Sequence, residues 1–217
     1  MFVACSTLCF GRHTFEEALR RIGELHFTKF EVAIHEHGRQ MKPSEVAEDV
    51  MLAAARLRHG PGLAPIAFHV EMDPPSEAEG CRQFQAISRL ARISAVPVIT
   101  IRPSSLDVSL EEETARLTKF VKMAESDGIL LGVATLTGTH TETPDLASIL
   151  CDKVPGLGLT LDPSHYLTGP HQGQCFESII PLVRHVHFRD TGKGPDADQS
   201  SSGWGQASDP GPEPCRT

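Results

Sequence analysis

The sequence predicts an α/β fold: a parallel sheet of about seven strand–helix units curling toward a (β/α)8 TIM barrel whose eighth unit is missing. Three observations predict it. Short apolar runs of strand length alternate with helix-period segments from residue 2 to about residue 188, and strict alternation with short connections means βαβ units and a parallel sheet. The alternation runs past four units in one direction, which favours a closing barrel over an open doubly wound sheet. No glycine-rich fingerprint follows the first strand, which weakens a dinucleotide-binding alternative.

The elements follow in order. Phe2 to Ser6 reads as the first strand. The segment Met1–Phe10 lacks the basic start and the length of a signal peptide, and Arg12 follows it at once. Thr14 before Glu16 and Glu17 is an N-cap with acids in the first turn. Phe15, Ala18, Leu19, Ile22 and Leu25 then fall at helical spacing. Lys29 to Ile34 is the second strand, ending in His35, Glu36 and His37. Pro43-Ser44-Glu45 opens a helix with Val46, Val50, Leu52, Ala53 and Leu57 inward, stopped by Gly60-Pro61-Gly62. Pro65 to Val70 is the third strand, with His69 and Glu71 at its end. A helix from about Ser76 to Ile93 turns Phe84, Ile87, Leu90 and Ala91 inward. Val96–Ile101 is a strand, and Leu110–Glu125 a helix on Leu117, Phe120, Val121 and Ala124. Ile129–Ala134, a short helix over Asp145–Leu150, the strand Leu157–Leu161, a helix over Phe176–Val183 and a strand containing Val186–Phe188 complete the pattern.

Composition bounds the function. The 217 residues suit one domain, and a net charge of −8 without a basic block argues against a nucleic-acid binder. Mean hydropathy is −0.16, and no apolar run approaches the roughly 18 residues that span a bilayer. Six scattered cysteines without a CxxC pair fit reduced thiols and a cytoplasmic location. The acids Glu16, Glu17 and Glu111 to Glu113 stand in first helical turns, where they face the helix dipole.

The chemistry centres on Leu157-Gly158-Leu159-Thr160-Leu161-Asp162-Pro163-Ser164-His165. A buried strand delivers a carboxylate and, three residues later, an imidazole to its C-terminal end, where an α/β barrel keeps its active site. Such O and N donors suit Mn²⁺, Mg²⁺, Fe²⁺, Co²⁺ or Zn²⁺. The competing reading makes Asp162 a turn cap and His165 a surface histidine.

Asp162-Pro163-Ser164-His165, the run Arg184-His185-Val186-His187-Phe188-Arg189-Asp190, the opening Cys5-Ser6-Thr7-Leu8-Cys9-Phe10-Gly11 and Ala134-Thr135-Leu136-Thr137-Gly138-Thr139-His140 together resemble the xylose isomerase-like TIM barrels, and within them the sugar phosphate isomerase/epimerase group. The resemblance covers about residues 1 to 191. It implies one divalent metal (Mn, Mg, Co or Zn) held by Glu, Asp, His and Glu from successive strand ends. Asp162 matches the aspartate ligand and His187 the histidine ligand. His165 matches a substrate-binding histidine, and Arg189 lies near the substrate's oxygens. Otherwise Asp162 caps a turn and His187 is a satisfied core histidine. Strand alternation puts His185 and His187 on one face under both readings.

Two departures from the pattern follow. The first family glutamate, a catalytic residue, should stand at Ala134, and the second belongs to the missing eighth strand. The resemblance therefore implies proton transfer at a carbon next to a carbonyl, through an enediolate, acting on a small sugar or sugar phosphate. In this copy that activity is impaired and metal binding is weak. His35, with Glu36 and His37, is a further substrate-binding candidate. His69 is a candidate for an additional zinc of the kind held by endonuclease IV-type barrels. His140 and Glu142 are partial substitutes for the lost carboxylate. The alternatives are an endonuclease IV-like phosphodiesterase, which the acidic balance disfavours, and a catalytically inactive barrel remnant. A homo-oligomer is compatible with either.

From Gly192 the pattern ends. Residues 192–217 are rich in Gly, Pro, Ser and Asp with one large apolar residue, Trp204, which predicts a barrel domain over 1–191 and a disordered, aberrant tail. Shifting Asp198–Ala207 by one base, through permitted codons, can read Pro-Val-Gln-Leu-Arg-Val-Gly-x-Gly-Glu, a strand and turn ending in a carboxylate. The expectation is a frameshift product, natural or from a sequencing error. Gene DNA with no related frame here would count against it.

Overall fold

The computed structural model describes residues 2–58 and 62–189. The expected tail from residue 192, with Asp190 and part of the Gly60-Pro61-Gly62 stop, lies outside the described residues.

Seven parallel strands form one sheet in sequence order: β1 (Cys5–Ser6), β2 (Lys29–His35), β3 (Ala64–Glu71), β4 (Val98–Ile101), β5 (Leu130–Ala134), β6 (Gly158–Leu161) and β7 (Val183–Val186). Between them run α1 (Phe15–Glu24), α2 (Pro43–Glu48), α3 (Val50–Leu57), α4 (Glu77–Ile93), α5 (Leu110–Ser126), α6 (Pro144–Lys153) and α7 (Ser164–Leu167). The sheet is curled into an incomplete barrel: Glu31 of β2 hydrogen-bonds His185 of β7, five strands away in the order.

Strand alternation builds two different faces. Phe30, Val32, Ile34, Phe68, Val70, Ile99, Ile101, Leu131, Val133, Leu159 and Leu161 are buried in the core with the helices' apolar residues, each such side chain worth about 1.5–3 kcal/mol of burial. Phe84 of α4 stacks on Phe120 of α5 at 4.3 Å between centroids in this outer layer. The alternate residues are small or polar and line the barrel's inside. Thr100 and Thr160 share a buried hydrogen bond of 2.7 Å across it. Gly132 leaves room there, since a Cβ would meet Thr160 Oγ1 at 2.6 Å.

Most elements fall within one or two residues of the sequence reading. The departures have local causes. The first strand pairs only at Cys5 and Ser6, and Phe2 and Val3 are 76% and 71% exposed. The helix read through residue 57 breaks at Asp49, whose extended backbone (φ −147°, ψ 92°) and carboxylate, accepting from Leu52 N at 2.9 Å, start a new helix. That break turns Leu52 outward and brings Ala54 in. The segment read as a helix over Phe176–Val183 is a 3₁₀ turn over Glu177–Leu182 containing Pro181, which has no N–H for an α-helical bond. The seventh strand runs over Val183–Val186, so of the Val186–Phe188 read as strand His187 and Phe188 lie beyond its end, although His187 N still donates to Leu161 O at 2.9 Å.

Candidate active site

The inside of the curled sheet gathers titratable side chains from β2 and β7. Glu31 Oε2 accepts from His185 Nε2 at 3.0 Å and His187 Nε2 at 2.7 Å. Burial alone would raise the Glu31 pKa, but the His187 charge and the two imidazole hydrogen bonds override it, and the carboxyl is held well below its usual range. Burial pulls His187 the other way, yet the charge and hydrogen bond of Glu31 raise its pKa, with help from Asp162. The shared-face expectation for His185 and His187 thus has its partner in Glu31, which sequence reasoning missed. The signal was present: in Lys29-Phe30-Glu31-Val32-Ala33-Ile34-His35 a charged residue stands inside a strand otherwise built for burial, in phase with His35.

Asp162 follows β6. One carboxylate oxygen accepts from Ser164 N at 3.0 Å and from Ser164 Oγ, and the other lies 2.9 Å from Arg189 Nε. Asp162 thus closes a turn onto Ser164 and pairs with Arg189. His165 is buried rather than superficial. Its Nε2 accepts from an Arg189 terminal nitrogen at 2.8 Å and its Nδ1 lies 3.4 Å from Thr137 Oγ1. Burial lowers its pKa, and with Nε2 accepting, Nδ1 carries the proton. Asp162, His165 and Arg189 are brought together as one polar group. Asp162 does not converge with His187 into a three-residue ligand set. Among the described residues the groups whose donor atoms converge are Glu31–His185–His187 and His35–His69–Glu71. Arg189 and Ser164 hold the Asp162 oxygens instead.

Ala134 closes β5 opposite Thr160. Its carbonyl accepts from Thr141 Oγ1 at 2.7 Å, which folds the following loop back on the strand. The proposed substitutes for a carboxylate here are engaged elsewhere. His140 Nε2 bonds the Val108 carbonyl at 2.8 Å, while Glu142 accepts from Gly138 N at 3.0 Å and lies 3.4 Å from His171. Both brace loops.

His35 joins His69 and Glu71 rather than His165 and Arg189. The His35 and His69 rings meet edge-on at 4.9 Å, and His69 meets His187 at 5.2 Å. Burial, the largest influence, pushes the His69 pKa down to about 3. Glu36 is a cap, accepting from Ser44 N and Oγ at 3.1 and 2.7 Å, and His37 pairs with Asp73 in solvent.

No family model and no curated protein matches the sequence. Solved structures do match. A xylose isomerase-like TIM barrel protein from Mycobacterium smegmatis in complex with magnesium has a TM-score of 0.67 at 15% identity, over 88% of this chain and 75% of that one. The IolI protein with a zinc atom gives 0.65 at 17%, over 90% and 75%. D-Allulose 3-epimerase from Methylomonas sp. in complex with D-allulose gives 0.65 at 14%, over 86% and 71%. The chain has the xylose isomerase-like TIM-barrel fold. Ala134 stands at the end of its β5 and Glu31 between its two β7 histidines.

Proposed function

We propose that this chain is built as a metal-dependent sugar or sugar-phosphate isomerase/epimerase whose proton-transfer step is impaired by Ala134. The observation that carries the reading is the joining of Asp162, His165 and Arg189 beside His187 at the strand ends of this fold. An epimerase of the same fold holds D-allulose.

The donor chemistry fits a divalent ion. Glu31, His185 and His187 offer one carboxylate oxygen and two imidazole nitrogens within 4.8 Å of one another, and Asp162 would join them on release from Arg189. When bound, such an ion supplies Lewis-acid polarisation of a carbonyl oxygen. The chain's own residues do the rest. The His165–Arg189 pair presents donors and an acceptor to sugar hydroxyls. The Arg189 guanidinium is suited to a phosphate. Ala134 offers a methyl group where a base would take the proton, and losing a general base costs about 10²–10⁴-fold in rate. Ala134 also supports a second reading, a barrel that binds sugars without chemistry.

The test is solvent-deuterium exchange at the carbon next to the carbonyl of D-allulose, followed by NMR with Mn²⁺, for the wild type and Ala134→Glu. The expected result is slow exchange in the wild type and a gain of about 10²–10⁴-fold in the variant. Unchanged exchange with unchanged ion-dependent melting in Ala134→Glu overturns the assignment. Sugar binding without exchange in either protein favours the non-catalytic barrel.

A further inference from the structure

We infer that His35, His69 and Glu71 form a second metal site, for Zn²⁺ or a similar borderline divalent cation, at the ends of β2 and β3. None of these residues holds the ion in the reading above, so the site stands apart from it.

Three observations carry the inference. A ring nitrogen of His35, a ring nitrogen of His69 and a carboxylate oxygen of Glu71 lie within 4.8 Å of one another. In a tetrahedral zinc site with bonds of about 2.1 Å, ligand atoms stand about 3.4 Å apart, so modest side-chain rotations close the set. Second, His35 Nε2 is buried and has no hydrogen-bond partner. A buried polar nitrogen normally has one, and a cation is a natural partner for an imidazole lone pair. Third, the sheet fixes the pieces. His35 and Glu71 are directly paired in the β2–β3 ladder, and His69 lies two residues earlier on β3, so its side chain shares a face with Glu71.

The other charges around the cluster fit. Arg102 Nη1 lies 3.7 Å from Glu71 Oε1, while Oε2 is 3.7 Å from His35 Nδ1. Arg102 can therefore hold one oxygen as the other turns to an ion. Two histidines and one glutamate form a three-ligand set of the kind that keeps a fourth position for water or a substrate oxygen. The His69 ring touches that of His187, which places an ion here against the wall of the main site.

The experiment is a Zn²⁺ titration of chelator-treated full-length protein by calorimetry, with zinc-edge anomalous diffraction on loaded crystals. His35→Gln and Glu71→Gln are compared with His187→Gln and Asp162→Asn. Glu71 is partly exposed, so Glu71→Gln should fold, and circular dichroism checks each variant. The expected result is anomalous density among His35, His69 and Glu71. Zn²⁺ affinity should fall at least about tenfold in His35→Gln and Glu71→Gln and persist at this site in His187→Gln and Asp162→Asn. Density only at Glu31–His185–His187, no density, or affinity unaffected by Glu71→Gln overturns the site. These outcomes leave the deuterium-exchange test of the main site untouched.

Discussion

Replacing Glu31 with Gln tests the electrostatics of the barrel interior. The substitution keeps the shape but removes the charge that His185 and His187 share at 3.0 and 2.7 Å. Hydrogen bonds to a charged group contribute about 1.5–3 kcal/mol each, and breaking a buried ionic pair costs about 3–5 kcal/mol. The metal-free variant should lose stability in that range by urea melts near pH 6. The loss should depend on pH, and the sign can be worked out. His187 has a raised pKa, so its contribution is complete below about 6.5 and fades as pH rises through the raised value. Glu31 has a depressed pKa, so its contribution is complete above the ordinary carboxylate value near 4.5 and fades as pH falls through the depressed value. The cost of Glu31→Gln should therefore peak between about pH 4.5 and 6.5 and be smaller at pH 9. In an NMR titration the His187 pKa should fall, because the Glu31 charge and hydrogen bond that raise it are weakened. An unmoved His187 titration, with a cost that is flat in pH, would refute the reasoning.

Three further outcomes are expected. Gly132→Ala puts a Cβ 2.6 Å from Thr160 Oγ1 and should destabilise by about 1–3 kcal/mol in a denaturant melt; a neutral result would mean the Thr100–Thr160 contact yields freely. Glu113 is fully buried and accepts from Ser104 N and from Arg116 Nε at 3.0 and 2.8 Å, which lowers its pKa against the opposing effect of burial. Glu113→Gln should therefore destabilise by about 3–5 kcal/mol at pH 7, and the gap from wild type should narrow as pH falls through the depressed value. Arg189→Ala should weaken a sugar phosphate by about 10–100-fold, the worth of one charge-assisted bond, and weaken the neutral sugar less. Equal losses in calorimetry would remove phosphate from the role of Arg189.

The order of elements was legible in the sequence because period-2 and period-3.6 patterns are local. Phe15, Ala18, Leu19 and Ile22 mark one helix face wherever the helix packs. Thr14 and Glu17 form the capping box their spacing predicts. The pairing of His185 with His187 on one face was legible for the same reason. Local competition decided what was misread: the Asp49 carboxylate takes Leu52 N and splits a helix, and Pro181 denies an α-helical bond. The site needed the fold. Glu31 and His187 are 156 residues apart, and only the curl of the sheet brings them to 2.7 Å. Arg189 reaches both Asp162 and His165, which engages the aspartate in a way no motif spacing records. Sequence by itself determined the parallel α/β barrel architecture and the residue types at its mouth, because backbone periodicity and local caps act over a few residues. Tertiary structure alone decided which carboxylate meets which imidazole, because strands distant in the chain become neighbours only when the sheet curls.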